Sequence, residues 1–107
     1  MKFLITGRQG GKTELTMRWM HEHPEAICVV HSSMEADRLH RDYKIDRRRL
    51  FLPGSVMFGH TPNAPVAVDN LDLILRQLLK TNNPIELVTA TGESIWPVFG
   101  ADFSQET

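Results

Sequence analysis

The sequence predicts an α/β fold, a three-layer sandwich of minimal size around a mainly parallel sheet. Three observations predict it. Short apolar runs recur along the chain, at Phe3–Ile5, Ala26–Val30, Leu50–Leu52 and Val66–Val68, without the alternation of a sheet that faces water on one side. Stretches of helical periodicity lie between them, and Gly, Pro, Asn and Ser mark the junctions. Strands alternating with helices imply right-handed crossovers, with a ligand site at the carboxyl ends of the strands.

Residues 2–6 read as the first strand and 12–22 as the first helix. Leu15, Trp19 and Met20 fall on that helix's apolar stripe, with Met17 and Arg18 beside it, and Pro24 stops it. Ala26–Val30 reads as a buried strand. Ser32 and Ser33 offer an N-cap, with Glu35 near the first turn, for a helix running to about Tyr43. Arg38, Arg41 and Asp42 fall on its solvent side.

Arg47, Arg48 and Arg49 lead into a short strand, Leu50–Leu52, which Pro53 and Gly54 break. A single helical turn at 55–58 precedes a loop over 59–65, rich in Gly, Pro and Asn. Val66–Val68 is a strand ending at Asp69, and Leu71–Leu79 a helix of strong apolar periodicity. Glu86–Ala90 reads as the last full strand. Ile95–Phe99 reads as a short edge strand, kept from a central place by Pro97. Residues 1–100 form one domain and 101–107 a frayed tail.

A chain of 107 residues has room for one core. With 41% apolar and 23% charged residues it is ordinary and globular, and a net charge of −1 gives no whole-chain reason to bind nucleic acid. The single cysteine, Cys28, excludes an internal disulfide and lies in an apolar run, as a core side chain does. No apolar run reaches membrane-spanning length and the first residues do not resemble a signal peptide, so a cytoplasmic location without membrane attachment is expected.

The most informative segment is Thr6–Thr13, a glycine-rich turn between strand and helix. In the pattern G-x-x-x-x-G-K-[ST], backbone N–H groups cradle phosphates, the lysine reaches the outer phosphates and the hydroxyl ligates Mg²⁺. Gly7, Arg8, Gln9, Gly10, Gly11, Lys12, Thr13 and Glu14 are therefore the candidate nucleotide contacts. Thr6 stands where the first glycine of the pattern belongs, and Gly7 sits one place later.

A second motif is the apolar strand ending in Asp69. That carboxylate, with Thr13, is the candidate Mg²⁺ ligand, while helix capping is the plainer role for Asp69 or Asn70. Asn70 stands where many ATPases carry a glutamate. Its amide orients water but cannot take a proton at neutral pH. Asp72 is the next carboxylate, turned by about 200° within a helix. Thr89 and Thr91 end the last strand, with hydroxyls expected beside the terminal phosphate; the alternative is a plain turn. Lys12, Asp69, Asn70 and Thr91 are the candidate catalytic residues, and Glu93 a candidate for the absent carboxylate. Arg47–Arg49 suits nucleic-acid phosphate, an arginine finger for a neighbouring subunit, or a solvated loop. His31 falls on the ligand rim. Trp96 and Phe99 suit a dimer patch or a covered sheet edge.

With these pieces in order, the chain resembles a P-loop NTPase of the RecA/helicase-like type. Thr6–Thr13 resembles its phosphate loop, Val30–Ser33 the motif after its second strand, Leu52–Gly54 its Thr-Pro-Gly element, Val66–Asn70 its Mg²⁺ motif and Thr89–Thr91 its Ser/Thr-Ala-Thr motif. The order spans residues 2–93. The whole is similar to the small stand-alone P-loop ATPases of actinobacterial bacteriophages, which would place it in a host cytoplasm. The resemblance implies ATP and Mg²⁺ binding with weak or partner-stimulated hydrolysis. A helicase motor closes on ATP between two such domains, so translocation by one domain is not expected, and a homo-oligomer or protein partner is. A non-enzymatic interaction module and a nucleic-acid accessory factor are the alternatives.

Overall fold

The structure, a computed structural model, describes residues 2–3, 11–57, 59 and 61–94. These residues form an α/β fold with a small parallel sheet. The elements in chain order are β1 (Lys2–Phe3), α1 (Lys12–Glu22), β2 (Ile27–Val29), α2 (Ser33–Tyr43), a 3-10 turn (Arg47–Arg49), β3 (Leu50–Phe51), α3 (Pro53–Met57), β4 (Val66–Val68), α4 (Leu71–Leu79) and β5 (Glu93–Ser94).

The all-apolar run at 26–30 becomes the centre of the molecule. β2 lies between β3 and β4, parallel to both, with Cys28 opposite Leu50 on one side and Ala67 on the other. Helices joined by crossovers cover such a strand, so all three of its residues are buried. The core gathers Met17, Met20, Ala26, Cys28, Val30, Ala36, Leu39, Ile45 and Leu50. Each large side chain among them contributes roughly 1.5–3 kcal/mol by leaving water. Cys28 is fully buried and its thiol is pushed up to about 12, first by burial and then by the charge of Asp69, so it is an inert core residue.

Helix α1 has the expected ends but a different buried face. Met17 and Met20 are buried, while Leu15 and Trp19 are half-exposed. The inward stripe runs Thr13, Thr16, Met17, Met20, the i, i+3, i+4, i+7 spacing of one helix face. Two of those positions are threonines, which masked the period. Helix α2 is capped as the sequence indicates, the Ser32 hydroxyl accepting from the Glu35 amide at 3.1 Å.

The expected strand at 86–90 is not formed. Residues 84–90 have no regular structure, and Leu87 is 83% exposed. A strand exists only where a neighbour takes its hydrogen bonds. That pairing occurs further on, where Glu93 and Ser94 lie parallel to Lys2 and Phe3 in a separate two-stranded sheet. The remainder of the first strand, the edge strand at 95–99 and the tail at 101–107 fall outside the described residues.

The arginine run is tied into the chain. Arg47 donates to Asp37 at 3.0 Å and to the Leu50 carbonyl at 3.0 Å, and Arg48 pairs with Asp46 at 2.8 Å. Arg49 donates to the carbonyls of Met20, His23 and Ala26 at 2.8, 2.6 and 2.9 Å. It thereby ties the end of α1 and the turn after it to the start of β3, adding to the amide donors that the Met20 and His23 carbonyls already have. Of the three readings of this run, intramolecular anchoring is nearest to the loop before a strand, with Arg49 as a structural clamp.

Among the described residues, no helix is long and apolar enough to cross a membrane.

Candidate functional site

The site begins at Gly11, whose φ of 79° is in the left-handed region that glycine enters without strain. Its carbonyl accepts from the Leu15 amide at 3.0 Å, so α1 starts immediately after it. Lys12 and Thr13 therefore stand on the first turn, where free N–H groups and the helix dipole favour anions. Thr6, Gly7, Arg8, Gln9 and Gly10 fall outside the described residues. Glu14 is exposed.

Asp69 arrives from the opposite side. Its amide donates to the Val29 carbonyl at 3.1 Å, which extends β4 along β2 by one residue and sets the side chain at the strand end. The residue is 2% exposed, the only buried charged residue among those described. Thr13 Oγ1 donates to one of its oxygens at 3.3 Å, across 56 residues of chain. Thr16 Oγ1 lies 3.4 Å from the other oxygen and 2.9 Å from the Lys12 carbonyl. Burial raises the Asp69 carboxyl above its ordinary range; the Thr13 hydrogen bond opposes this, the charge of Glu35 adds to it, and Thr16 and Lys12 oppose it. Gly11, Lys12, Thr13 and Asp69 thus meet at one place.

Asn70 follows with φ 61° and ψ 62°, a conformation that asparagine tolerates better than most residues. Its side chain makes no cap hydrogen bond, while its carbonyl accepts from the amides of Leu73 and Ile74 at 3.1 and 3.2 Å. The capping role is therefore a backbone one. Asp72 is exposed on α4 and Glu93 is exposed on β5. Thr91 is exposed in the bend before β5, and no hydrogen bond among the described residues joins it to Asp69.

Two residues that the sequence reading did not assign to the site stand near it. Thr16 shares Asp69 with Thr13. Glu35, on the first turn of α2, is near enough for its charge to act on Asp69. Its signal in the sequence, Ser32 followed three residues later by glutamate, is that of a capping box. His31 follows β2, two residues beyond Val29; its carbonyl accepts from Gln77 Nε2 of α4, and no hydrogen-bond partner among the described residues reaches its enclosed Nδ1. An open groove of about 540 Å³ runs along the start of α2, lined in part by His31, Ser32, Glu35, Arg38 and Arg41, and its lining includes neither Thr13 nor Asp69.

Comparison with family models, curated proteins and solved structures finds no match for this chain.

Proposed function

We propose that the chain binds a nucleoside triphosphate, ATP by resemblance, together with Mg²⁺, and that it is a weak or partner-stimulated ATPase. The observation that carries the reading is the meeting of Thr13 and Asp69 at 3.3 Å beside a glycine turn that opens a helix. A capping aspartate needs no hydroxyl partner from 56 residues away. A buried carboxylate bonded to the hydroxyl after Gly-Lys is what a hard cation beside phosphate requires.

The donor set fits Mg²⁺, which prefers oxygen ligands and is held by one or two protein groups together with phosphates and water. Thr13 and Asp69 would hold it, and its charge would offset that of the phosphates. Lys12 would meet the outer phosphate oxygens, and the amides at the start of α1 would bind phosphate. Catalysis in such a site rests on positioning and electrostatics. On this reading the fold is a minimal P-loop NTPase sandwich of the RecA/helicase-like type, similar to the small ATPases of actinobacterial bacteriophages, and works in a host cytoplasm. Asn70 and Thr91 are assigned to orienting water and sensing the terminal phosphate.

A second reading, a P-loop-derived interaction module, is favoured by two observations. Asn70 supplies no carboxylate, while Val66 and Val68 of β4 are 50% and 44% exposed, as a protein partner or second copy would use. Calorimetric titration with Mg·ATP separates the two, with Lys12→Ala as control. Saturable heat that Lys12→Ala removes supports the first reading. No heat from the unaltered protein at millimolar nucleotide would rule it out.

A further inference from the structure

Helix α1 presents two hydroxyls to Asp69, and the phosphate-loop pattern accounts for one of them. Thr13 ends that pattern; Thr16 lies three residues beyond it, on the same inward face of α1. Thr13 Oγ1 donates to Asp69 Oδ2 at 3.3 Å, and Thr16 Oγ1 lies 3.4 Å from Oδ1, so each carboxylate oxygen has its own hydroxyl. Among the described residues, no other hydrogen bond reaches this side chain. The backbone of Asp69 is already fixed, its amide donating to the Val29 carbonyl at 3.1 Å.

The Thr16 hydroxyl also lies 2.9 Å from the Lys12 carbonyl, the usual bond of a helical threonine to the turn before it. That bond satisfies the hydroxyl but does not explain why a hydroxyl stands here. The inward residues that follow, Met17 and Met20, are buried and apolar. A polar side chain on such a stripe needs a polar partner inside, and Asp69, 2% exposed, is that partner. A hydroxyl has one hydrogen to give. Turning the O–H bond alone passes it from the Lys12 carbonyl to Asp69, and an ionised carboxylate is the stronger acceptor of the two. With Thr13 as its one side-chain contact, the carboxylate would be free to turn about a torsion that is broad by nature.

We propose that Thr16 is a positioning residue for the bound cation: its hydroxyl holds the far oxygen of Asp69, so that the near oxygen stays beside Thr13, where the cation would sit. The inference rests on the nucleotide-binding reading above and adds a residue that the G-x-x-x-x-G-K-[ST] pattern does not contain. In this role Thr16 touches neither cation nor phosphate. It acts as the hydrogen-bond partners behind metal ligands do, whose loss costs about ten- to a hundredfold in metal affinity. Nucleotide bound without a cation makes no use of Asp69, so its affinity does not depend on Thr16.

The test measures ATP affinity by calorimetry twice, with Mg²⁺ in excess and with a chelator, and reads the gain that Mg²⁺ confers. It compares the unaltered chain, Thr16→Val, Thr16→Ser and a control, Glu22→Gln, exposed at the far end of α1. Thr16→Val keeps the shape of the side chain and removes the hydroxyl. It is expected to lower the gain by about tenfold and to leave the affinity in chelator unchanged. Thr16→Ser, which keeps the hydroxyl, retains the gain, and Glu22→Gln changes neither quantity. Should Thr16→Val fail to fold, Thr16→Ala is read by the same criterion. An undiminished gain in the variant without the hydroxyl overturns the proposal and leaves nucleotide binding standing. So does an equal loss of affinity with and without Mg²⁺, which would make Thr16 a support of α1 alone. A loss in Thr16→Ser as large as in Thr16→Val, or an unaltered chain that gains nothing from Mg²⁺, also overturns it. No nucleotide binding by the unaltered chain overturns both readings.

Discussion

Residues 11–52 and residues 66–94 are built to different standards. Every member of the main core cluster belongs to the first region, from Met17 to Leu50. The second supplies two buried residues, Asp69 and Ile74, and of the large exposed apolar side chains all but Met34 lie at position 56 or later. The proposed site spans this contrast. Thr13 and Thr16 are set by the densely packed part, and Asp69 is brought to them by a strand whose outer side chains are exposed. The lesson is that the α1 side of the proposed site is set by a packed core, while the Asp69 side is held by a few bonds to β2 and α1.

Core truncation is the most direct way to break the comparison. Leu39→Ala is expected to cost about 2–5 kcal/mol by leaving a cavity, whereas Leu78→Ala, 37% exposed on α4, costs less than half as much. Equal losses in urea unfolding would show that both regions share one core. Next in size is Arg49→Met, expected to cost about 1–3 kcal/mol because the guanidinium hydrogen bonds to the Met20, His23 and Ala26 carbonyls are lost. Thermal unfolding measures it, and Arg48→Met, whose partner is the exposed Asp46, should leave the melting point almost unchanged.

Asp69→Asn reports on the boundary between the regions. Asp69 has a folded-state carboxyl raised above its unfolded value, so the native state holds the proton more tightly. Stability is then greatest below the unfolded value and falls as pH rises through the folded one. The substitution should flatten that fall and stabilise the nucleotide-free protein near neutral pH by about 0.5–2 kcal/mol, while weakening Mg·ATP binding. Loss of stability in the free protein would mean that the ionised carboxylate helps hold β4 in place. The smallest effect belongs to the far end. Val88→Ser, at a position 52% exposed, should leave the melting point within the change expected for about 0.5 kcal/mol.

Much of this was legible in the sequence, and the failures have physical causes. The ends of α1, α2 and α4 could be read because Gly, Pro, Ser and Asn act locally through backbone geometry and capping. The place of Asp69 at a strand end could be read because the apolar run Val66–Val68 stops at a carboxylate. The buried face of α1 was misread because Thr13 and Thr16 occupy inward positions that apolar residues usually fill. The strand at 86–90 was misread because β-forming residues make a strand only where a partner lies alongside. Glu35 escaped notice because its local role as the third residue after an N-cap accounts fully for its presence. Only the sheet order, β3-β2-β4, brings the end of β2 beside the end of β4.

The arginine clamp has a consequence for proteolysis. Three successive arginines form a preferred target for trypsin-like enzymes, which must draw the chain into an extended shape to cut it. Here the target is wound into a 3-10 turn, with Arg47 and Arg49 half-buried and all three side chains bonded within the chain. Cleavage at 47–49 therefore proceeds only as fast as the turn opens away from the end of α1, and its rate measures how often the well-packed region comes apart.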